Sequence, residues 1–369
     1  LAMAKDRILV AMSGGVDSSV AAAMLVEQGY DVIGATMKLF CHGTDVPDRP
    51  CCSLDSVNDA RRVCEQLGIP HYVLNLESRF GHDVVDNFVE EYARGRTPIP
   101  CVRCNTFTKF RDFLKKADGI DARWIATGHY ARVVNGELYR GVDGNKDQTY
   151  FLWGIDRDVL RRMVLPVGDL DKSRTRALAH KMGLEVIAEK AESQEICFVP
   201  DGDYMRILES RLPASASALQ PGPIMTSNGA VIAQHAGFAR YTVGQRRGVP
   251  GGFPHPMYVI EIRPESRAVI IGTRDELLGN GLIAREINWL ADRPGVGEHV
   301  TVRVRHRAPL ANAEIVRIDG DELEIALDEP VAAISPGQSV VLYDGERVLG
   351  GGFIESSRQQ RNSLPVLAA

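Results

Sequence analysis

The segment RILVAMSGGVDSSVAAAMLVEQGY, Arg7 to Tyr30, constrains the fold more than any other stretch of this chain. An apolar run suited to a buried strand, Ile8–Met12, enters a turn on Gly14 and Gly15. A helix pattern follows over Ser18–Gln28 and stops at Gly29. The alternation then repeats, with strands expected at Val32–Met37, His71–Asn75 and Trp124–Thr127, and helices at Ser56–Leu67 and around Lys109–Lys116. Parallel neighbours in a sheet need long crossovers, which helices supply, so this order predicts an α/β fold with a parallel sheet covered on both faces.

The alternation runs to about residue 205, and the texture then changes. Residues 213–252 are rich in Pro, Gly, Ser and Ala, with short strand-like pieces such as GAVIAQHAG and GFARYTVGQRRG. Farther on, VTVRVRHR, NAEIVRI, DELEIAL and QSVVLYDGERVLGGGFIE alternate polar and apolar residues between Gly, Asp and Pro turns. Period-two segments of this kind predict a small antiparallel β-barrel. A chain of 369 residues exceeds one compact core. The expected division is an N-terminal parallel-sheet domain over 3–205, a small central mixed domain over 206–281, a barrel over 282–356 and a flexible tail over 357–369.

Composition narrows the function classes. The chain is 44% hydrophobic and 25% charged, without an apolar run long enough to span a bilayer. The net charge of -5 excludes a protein coated in basic surface, so nucleic-acid contacts must rest on local patches. The start of the chain lacks a secretory pattern, and a cytoplasmic protein is expected. In that reducing setting the seven cysteines read as ligands or reactive groups rather than staples.

The stretch SGGVDSS joins a strand to a helix start, where exposed amides and serine hydroxyls form an anion cradle suited to phosphate. Neither the Walker pattern nor G-x-G-x-x-G is present. The bland alternative is a glycine turn with a serine cap and no ligand. SGGVDSS after an apolar strand resembles the PP-loop of ATP pyrophosphatases, which implies ATP binding, release of AMP and pyrophosphate, and a role for Asp17 in placing Mg²⁺.

More specific strings follow. GRTPIPCVRCNTFTKF holds Cys101 and Cys104, AESQEICFVPDGDY holds Cys197, and ATGHYAR and NKDQTYFLWGI lie between them. With YTVGQRRG and DEPVAAISPGQSVVLYDGERVLGGGFIE, they make the chain resemble the bacterial tRNA-specific 2-thiouridylases along nearly its whole length. The resemblance implies adenylation of the C2 oxygen of the wobble uridine by ATP, then displacement of AMP by sulfur. It places Ala11, Met12, Ser13, Gly14, Gly15, Val16, Asp17, Ser18, Met37 and Gly128 at the nucleotide. It makes Cys197 the persulfide carrier and Cys104 its partner, with a disulfide between them as the resolved state. A thiolate is the required species in both roles.

One departure matters. The family pattern is P-D-x-x-C-N, whereas this chain has Cys101 in the aspartate position after Pro100. Two chemistries stay open: a persulfide on Cys197 with Cys101 spare, or a 4Fe–4S cluster held by Cys101, Cys104 and Cys197 whose open iron binds the attacking sulfide. A structural zinc site would need a second ligand pair, and Cys41, Cys51 and Cys52 show no matching spacing. The stretch CHGTDVPDRPCCS that holds them has no assigned role, a mobile cover over the site and incidental cysteines both staying open, and Cys64 reads as a small core residue.

For tRNA, the resemblance places Ile99, Pro100 and Cys101 around the flipped target base. It places further contacts at His129, Lys146, Asp147, Gln148, Arg305, His306 and Gln338. On spacing alone, Arg303, Arg305 and Arg307 share one strand face, and Arg103, Lys109, Arg111, Lys115 and Lys116 form a basic stripe beside Cys104. Each is read either as RNA contact or as solvated surface. The expected partners are tRNAs for lysine, glutamate and glutamine and a cysteine desulfurase or sulfur-relay protein. The rival functions are a PP-loop ligase for a small carboxylate and a noncatalytic tRNA-binding protein.

Overall fold

The computed structural model describes residues 5–40, 54–190 and 196–359. Cys41, Cys51 and Cys52, the stretch that holds them, and residues 360–369 of the expected tail lie outside that set. The chain divides into two compact units, and residues 87–99 belong to the second although they interrupt the first in sequence. Among the described residues no helix is long and apolar enough to cross a membrane.

The first unit is built on a parallel sheet. Its strands are β1 (Arg7–Ala11), β2 (Asp31–Lys38), β3 (His71–Asn75), β4 (Trp124–Ala126) and β7 (Met163–Val164), in the order β3-β2-β1-β4-β7. A hairpin of β5 (Ala131–Val134) and β6 (Glu137–Arg140) lies between β4 and β7 in the chain. Every pairing in the five-stranded sheet is parallel, and β1 registers Leu9 on Ile33 of β2 and on Ile125 of β4. Helix α1 (Val16–Glu27) and helix α2 (Leu54–Gln66) cover it. The row Ala21, Ala22, Ala23 is buried with Ile8, Val10, Val32 and Val63 in one core, so α1 is apolar nearly all round because it is enclosed. Cys64 is fully buried there, and an added Cβ at Gly34 would sit 2.6 Å from its Sγ.

The second unit holds two β-assemblies. In the smaller, β8 (Gly222–Thr226), β9 (Val231–His235), β10 (Tyr258–Arg263) and β11 (Ala268–Gly272) form a mixed sheet in the order β10-β11-β8-β9. In the larger, β12 (Leu278–Trp289), β13 (His299–Arg303), β14 (Ala311–Asp319), β15 (Glu322–Ala332), β16 (Ser339–Asp344) and β17 (Arg347–Gln359) run β12-β15-β14-β13-β16-β17, and β12 also pairs with β17. That last pairing closes an antiparallel barrel and leaves no open edge. Leu323, Ile325 and Leu327 alternate inward from β15 and meet Leu282, Val302, Ile315 and Ile354, which is the period-two pattern in three dimensions.

Two local expectations fail. GFARYTVGQRRG contains a short 3₁₀ turn, Phe238–Arg240, and no strand. Its chain instead trades single bonds with β10: Gly244 N–H donates to Val259 O and Val259 N–H to Gln245 O. The shared strand face for Arg303, Arg305 and Arg307 is also absent, since β13 ends at Arg303 and residues 304–307 bend and turn. Pro309 just beyond supplies no ladder donor. Arg303 itself is buried, with its guanidinium 5.8 Å from the Tyr343 ring.

Candidate active site

Chain order reverses at β1, because β2 and β3 lie on one side of it and β4 and β7 on the other. In open parallel sheets such a reversal leaves a crevice beyond the carboxyl ends of the strands, since the two flanking connections leave in opposite directions. A cavity of about 230 Å³ lies there. Ala11, Met12 and Ser13 after β1, Thr36, Met37 and Leu39 from β2, and Thr127, Gly128 and His129 after β4 form its walls. Asp17, Ser18, Lys109 and Gln148 complete them.

The glycine turn is shaped by its own hydroxyls. Ser13 N–H donates to Ser18 Oγ (3.2 Å), and Ser18 Oγ donates to Gly15 O (3.1 Å). Ser19 Oγ also donates to Gly15 O (2.9 Å), so that hydroxyl is spent inside the helix. Gly14 has φ +72° and packs so closely on α2 that an added Cβ would sit 2.2 Å from Ser56 O. Lys190 Nζ fastens the same turn, donating to Gly14 O (3.0 Å) and pairing with Asp59 Oδ2 (2.8 Å). Gly128 brings the end of β4 against the start of α1; a Cβ there would meet the Asp17 carbonyl carbon and Ser18 N at 2.5 Å.

Asp17 sits in the first turn of α1, where a carboxylate suits the helix dipole. The Lys172 ammonium lies 2.7 Å from its Oδ1 and 2.9 Å from its Oδ2, and the Tyr130 hydroxyl donates to Oδ1 (2.8 Å). One hard carboxylate at the cavity wall fits Mg²⁺, which is held through one or two carboxylates plus substrate phosphates.

The cysteine-bearing stretch connects to this cavity through a wide helical turn. Pro100–Arg103 is one α-turn, Cys104–Lys109 is π-helical, and the α-helix Phe110–Asp118 continues from it. The segment that starts at Cys104 therefore ends at Lys109 in the cavity wall. Asn105 anchors it, donating from Nδ2 to Phe151 O (2.8 Å). Cys197 is partly buried, and the ring of its neighbour Phe198 is 5.6 Å from Phe80, which leads into a second π-helical segment, Gly81–Asp86, packed against the first.

The profile described as "tRNA methyl transferase HUP domain" matches residues 6–201. The "tRNA methyl transferase PRC-barrel domain" matches 211–273, and the "Aminomethyltransferase beta-barrel domain" matches 279–354. The chain is 47% identical to the tRNA-specific 2-thiouridylase MnmA of Carboxydothermus hydrogenoformans over 362 residues, 95% of this chain and 98% of that one. It is 47% identical to the protein of the same name from Symbiobacterium thermophilum, covering 95% and 92%, and 46% identical to that from Halothermothrix orenii, covering 95% and 99%.

The chain belongs to the tRNA-specific 2-thiouridylase family.

Measured against the residues the family resemblance names, Ala11, Met12, Ser13, Asp17, Ser18, Met37 and Gly128 share the cavity, while Gly14, Gly15 and Val16 form the turn behind it. His129 and Gln148, expected at the tRNA, also line it. Gln148 Oε1 accepts from Tyr130 N–H (2.8 Å). Lys109, read as part of a basic stripe, points into the same cavity, and Thr36, Leu39 and Thr127 went unnoticed because nothing in their local pattern marks them. Asp147 is buried and occupied: it accepts from Arg140 Nε (3.1 Å), Thr149 N–H (3.1 Å) and Thr149 Oγ1 (2.8 Å). In the second unit, Arg305 donates to Val243 O (2.8 Å) and thereby holds the YTVGQRRG loop, with His306 next to it in the turn. Gln338 donates from Nε2 to Thr97 O (3.0 Å) and Pro98 O (3.3 Å), fixing the backbone just before Ile99.

The expected disulfide is absent: Cys64, Cys101, Cys104 and Cys197 are all thiols, so none is cross-linked among the described residues. The cluster reading finds no support either. Cys101 is exposed and Cys104 buried. Among the described residues no three His, Cys, Asp or Glu side chains converge to hold a metal.

Proposed function

We propose that this chain carries out ATP-dependent 2-thiolation of the wobble uridine in tRNA, within one nucleotide-and-cysteine site. The observation that carries this reading is the junction of the two halves: the π-helical segment beginning at Cys104 ends in the wall of the cavity formed by the glycine turn and the Thr127–His129 segment. ATP lies with its phosphates toward Ser13, Asp17 and Ser18, whose backbone start of helix α1 favours anions. Mg²⁺ on Asp17 supplies charge neutralisation when bound. The uridine C2 oxygen attacks the α-phosphorus, and pyrophosphate leaves.

Cys197 carries the sulfur as a persulfide. Its terminal sulfur attacks C2 and AMP departs with the former oxygen, leaving a C2–S–S–Cys197 bond. The Cys104 thiolate then attacks the Cys197 sulfur, releasing the thiolated base. The resulting Cys104–Cys197 linkage belongs to turnover, is reduced by a cellular thiol, and is not a structural staple. Cys101 takes no part in this sequence. Ile99 and Pro100, both buried, precede it and form the apolar approach for the extruded base.

The supporting test is mass spectrometry of tRNA after incubation with ATP and a sulfide or persulfide source. Cys197→Ser and Cys104→Ser should abolish 2-thiouridine while preserving tRNA-stimulated ATP–pyrophosphate exchange. Full thiolation by either variant overturns the assignment. Full activity of the wild type in iron-free form, with Cys101→Ser unimpaired, supports the persulfide route over the cluster.

A further inference from the structure

The glycine turn binds phosphate in this reading, yet it contains no lysine, and it places a carboxylate, Asp17, in the cavity wall. A polyphosphate entering that cradle meets a like charge. The fold places a cation there from a distant part of the chain. Lys172 stands at the first position of the helix Lys172–Lys181, whose start is fixed by Asp171 accepting from Arg174 N–H (2.8 Å). Its own N–H donates to Asp143 Oδ2 (3.1 Å), so the backbone end of this side chain is held at both sides. The ammonium spans both Asp17 oxygens at 2.7 and 2.9 Å and lies 5.6 Å from the Tyr130 ring. Tyr130 in turn donates to Asp17 and lies 3.0 Å from Thr175 Oγ1 of the same helix.

We propose that Lys172 is the phosphate-binding cation missing from the glycine turn: its head, seated beside Asp17, turns to the pyrophosphate portion of ATP. The long flexible stem and rotatable donors of lysine suit such a transfer, since the head can move a few ångströms while the backbone stays fixed. Lys109 also lines the cavity, and its ammonium acts on His129. Lys190 is engaged with Gly14 O and Asp59 and holds the turn itself.

The proposal rests on the nucleotide reading above, and the test separates the two. Binding of inorganic pyrophosphate and of AMP, each with Mg²⁺, is measured by calorimetry for the wild type, Lys172→Met and Lys172→Arg. Lys172→Met should weaken pyrophosphate at least tenfold and leave AMP within twofold, with Lys172→Arg recovering part of the loss. The same selective loss should persist in an Asp17→Asn background, because the ammonium acts on phosphate and not only through the carboxylate. Unchanged pyrophosphate binding by Lys172→Met, or equal loss of AMP and pyrophosphate, overturns the proposal. A wild-type protein that binds neither probe overturns the nucleotide reading with it.

Discussion

Thr127 Oγ1 and His129 Nδ1 lie 2.7 Å apart in the wall of the cavity. His129 is half-buried and lines the cavity. Burial, with the nearby Lys109 ammonium, pushes its pKa down from 6.5 to about 3. The imidazole is therefore neutral at physiological pH and serves as a hydrogen-bonding wall, not as a cation for RNA phosphate. The unfolded chain takes up a proton at this residue below about pH 6.5 and the folded chain does not, so stability falls with acidification between about pH 6.5 and 3. His129→Asn should flatten this dependence by up to about 1.4 kcal/mol per pH step in that window. Thermal melts at pH 7 and pH 5.5 measure it; an identical acid slope in the variant contradicts the assignment.

Gly128→Ala should damage adenylation far more than tRNA binding. The new methyl group meets the backbone of Asp17 and Ser18, which cannot rotate away, so the glycine turn must move. A displacement of about 1 Å in a reacting geometry costs on the order of 100-fold in rate. ATP–pyrophosphate exchange reads the loss, and tRNA gel shifts provide the comparison.

Cys64 separates a structural thiol from the reactive ones. Burial pushes its pKa up to about 12, so almost none is thiolate at neutral pH. Mass-mapped alkylation of the native protein should label exposed Cys101 long before Cys64. Cys64→Ala should keep full thiolation and lower stability by roughly 1–2 kcal/mol through the space left over Gly34.

Gln338→Ala removes the amide that holds the Thr97 and Pro98 carbonyls. Leaving those acceptors unmet should cost about 1–2 kcal/mol. Hydrogen exchange across residues 94–99 should rise while the barrel core around Ile325 and Ile354 stays protected. Unchanged exchange in that segment would contradict a holding role for this side chain.

The strand–turn–helix order of the first unit was legible because buried strands and an enclosed helix write continuous apolar runs, as Ile8–Met12 and Val20–Leu25 do. The barrel was legible because β14 and β15 alternate. What stayed hidden depends on residues distant in sequence: nothing local in GDLDKSR announces that Lys172 meets Asp17, 155 residues away. Arg303 misled for the opposite reason. Its alternation with Arg305 was genuine, but the strand stopped before the pattern did.

The π-helical turn between Cys104 and Lys109 contains one residue more than an α-turn needs. Because an α-helix advances about 100° per residue, that surplus lets the sulfur-bearing end and the cavity-facing end of one continuous helix be aimed separately. Wound as an ordinary α-helix, the same residues would set Cys104 and Lys109 about 140° apart around the axis. The aim of the sulfur is thus written in a residue count, and side-chain chemistry alone could not repair its loss.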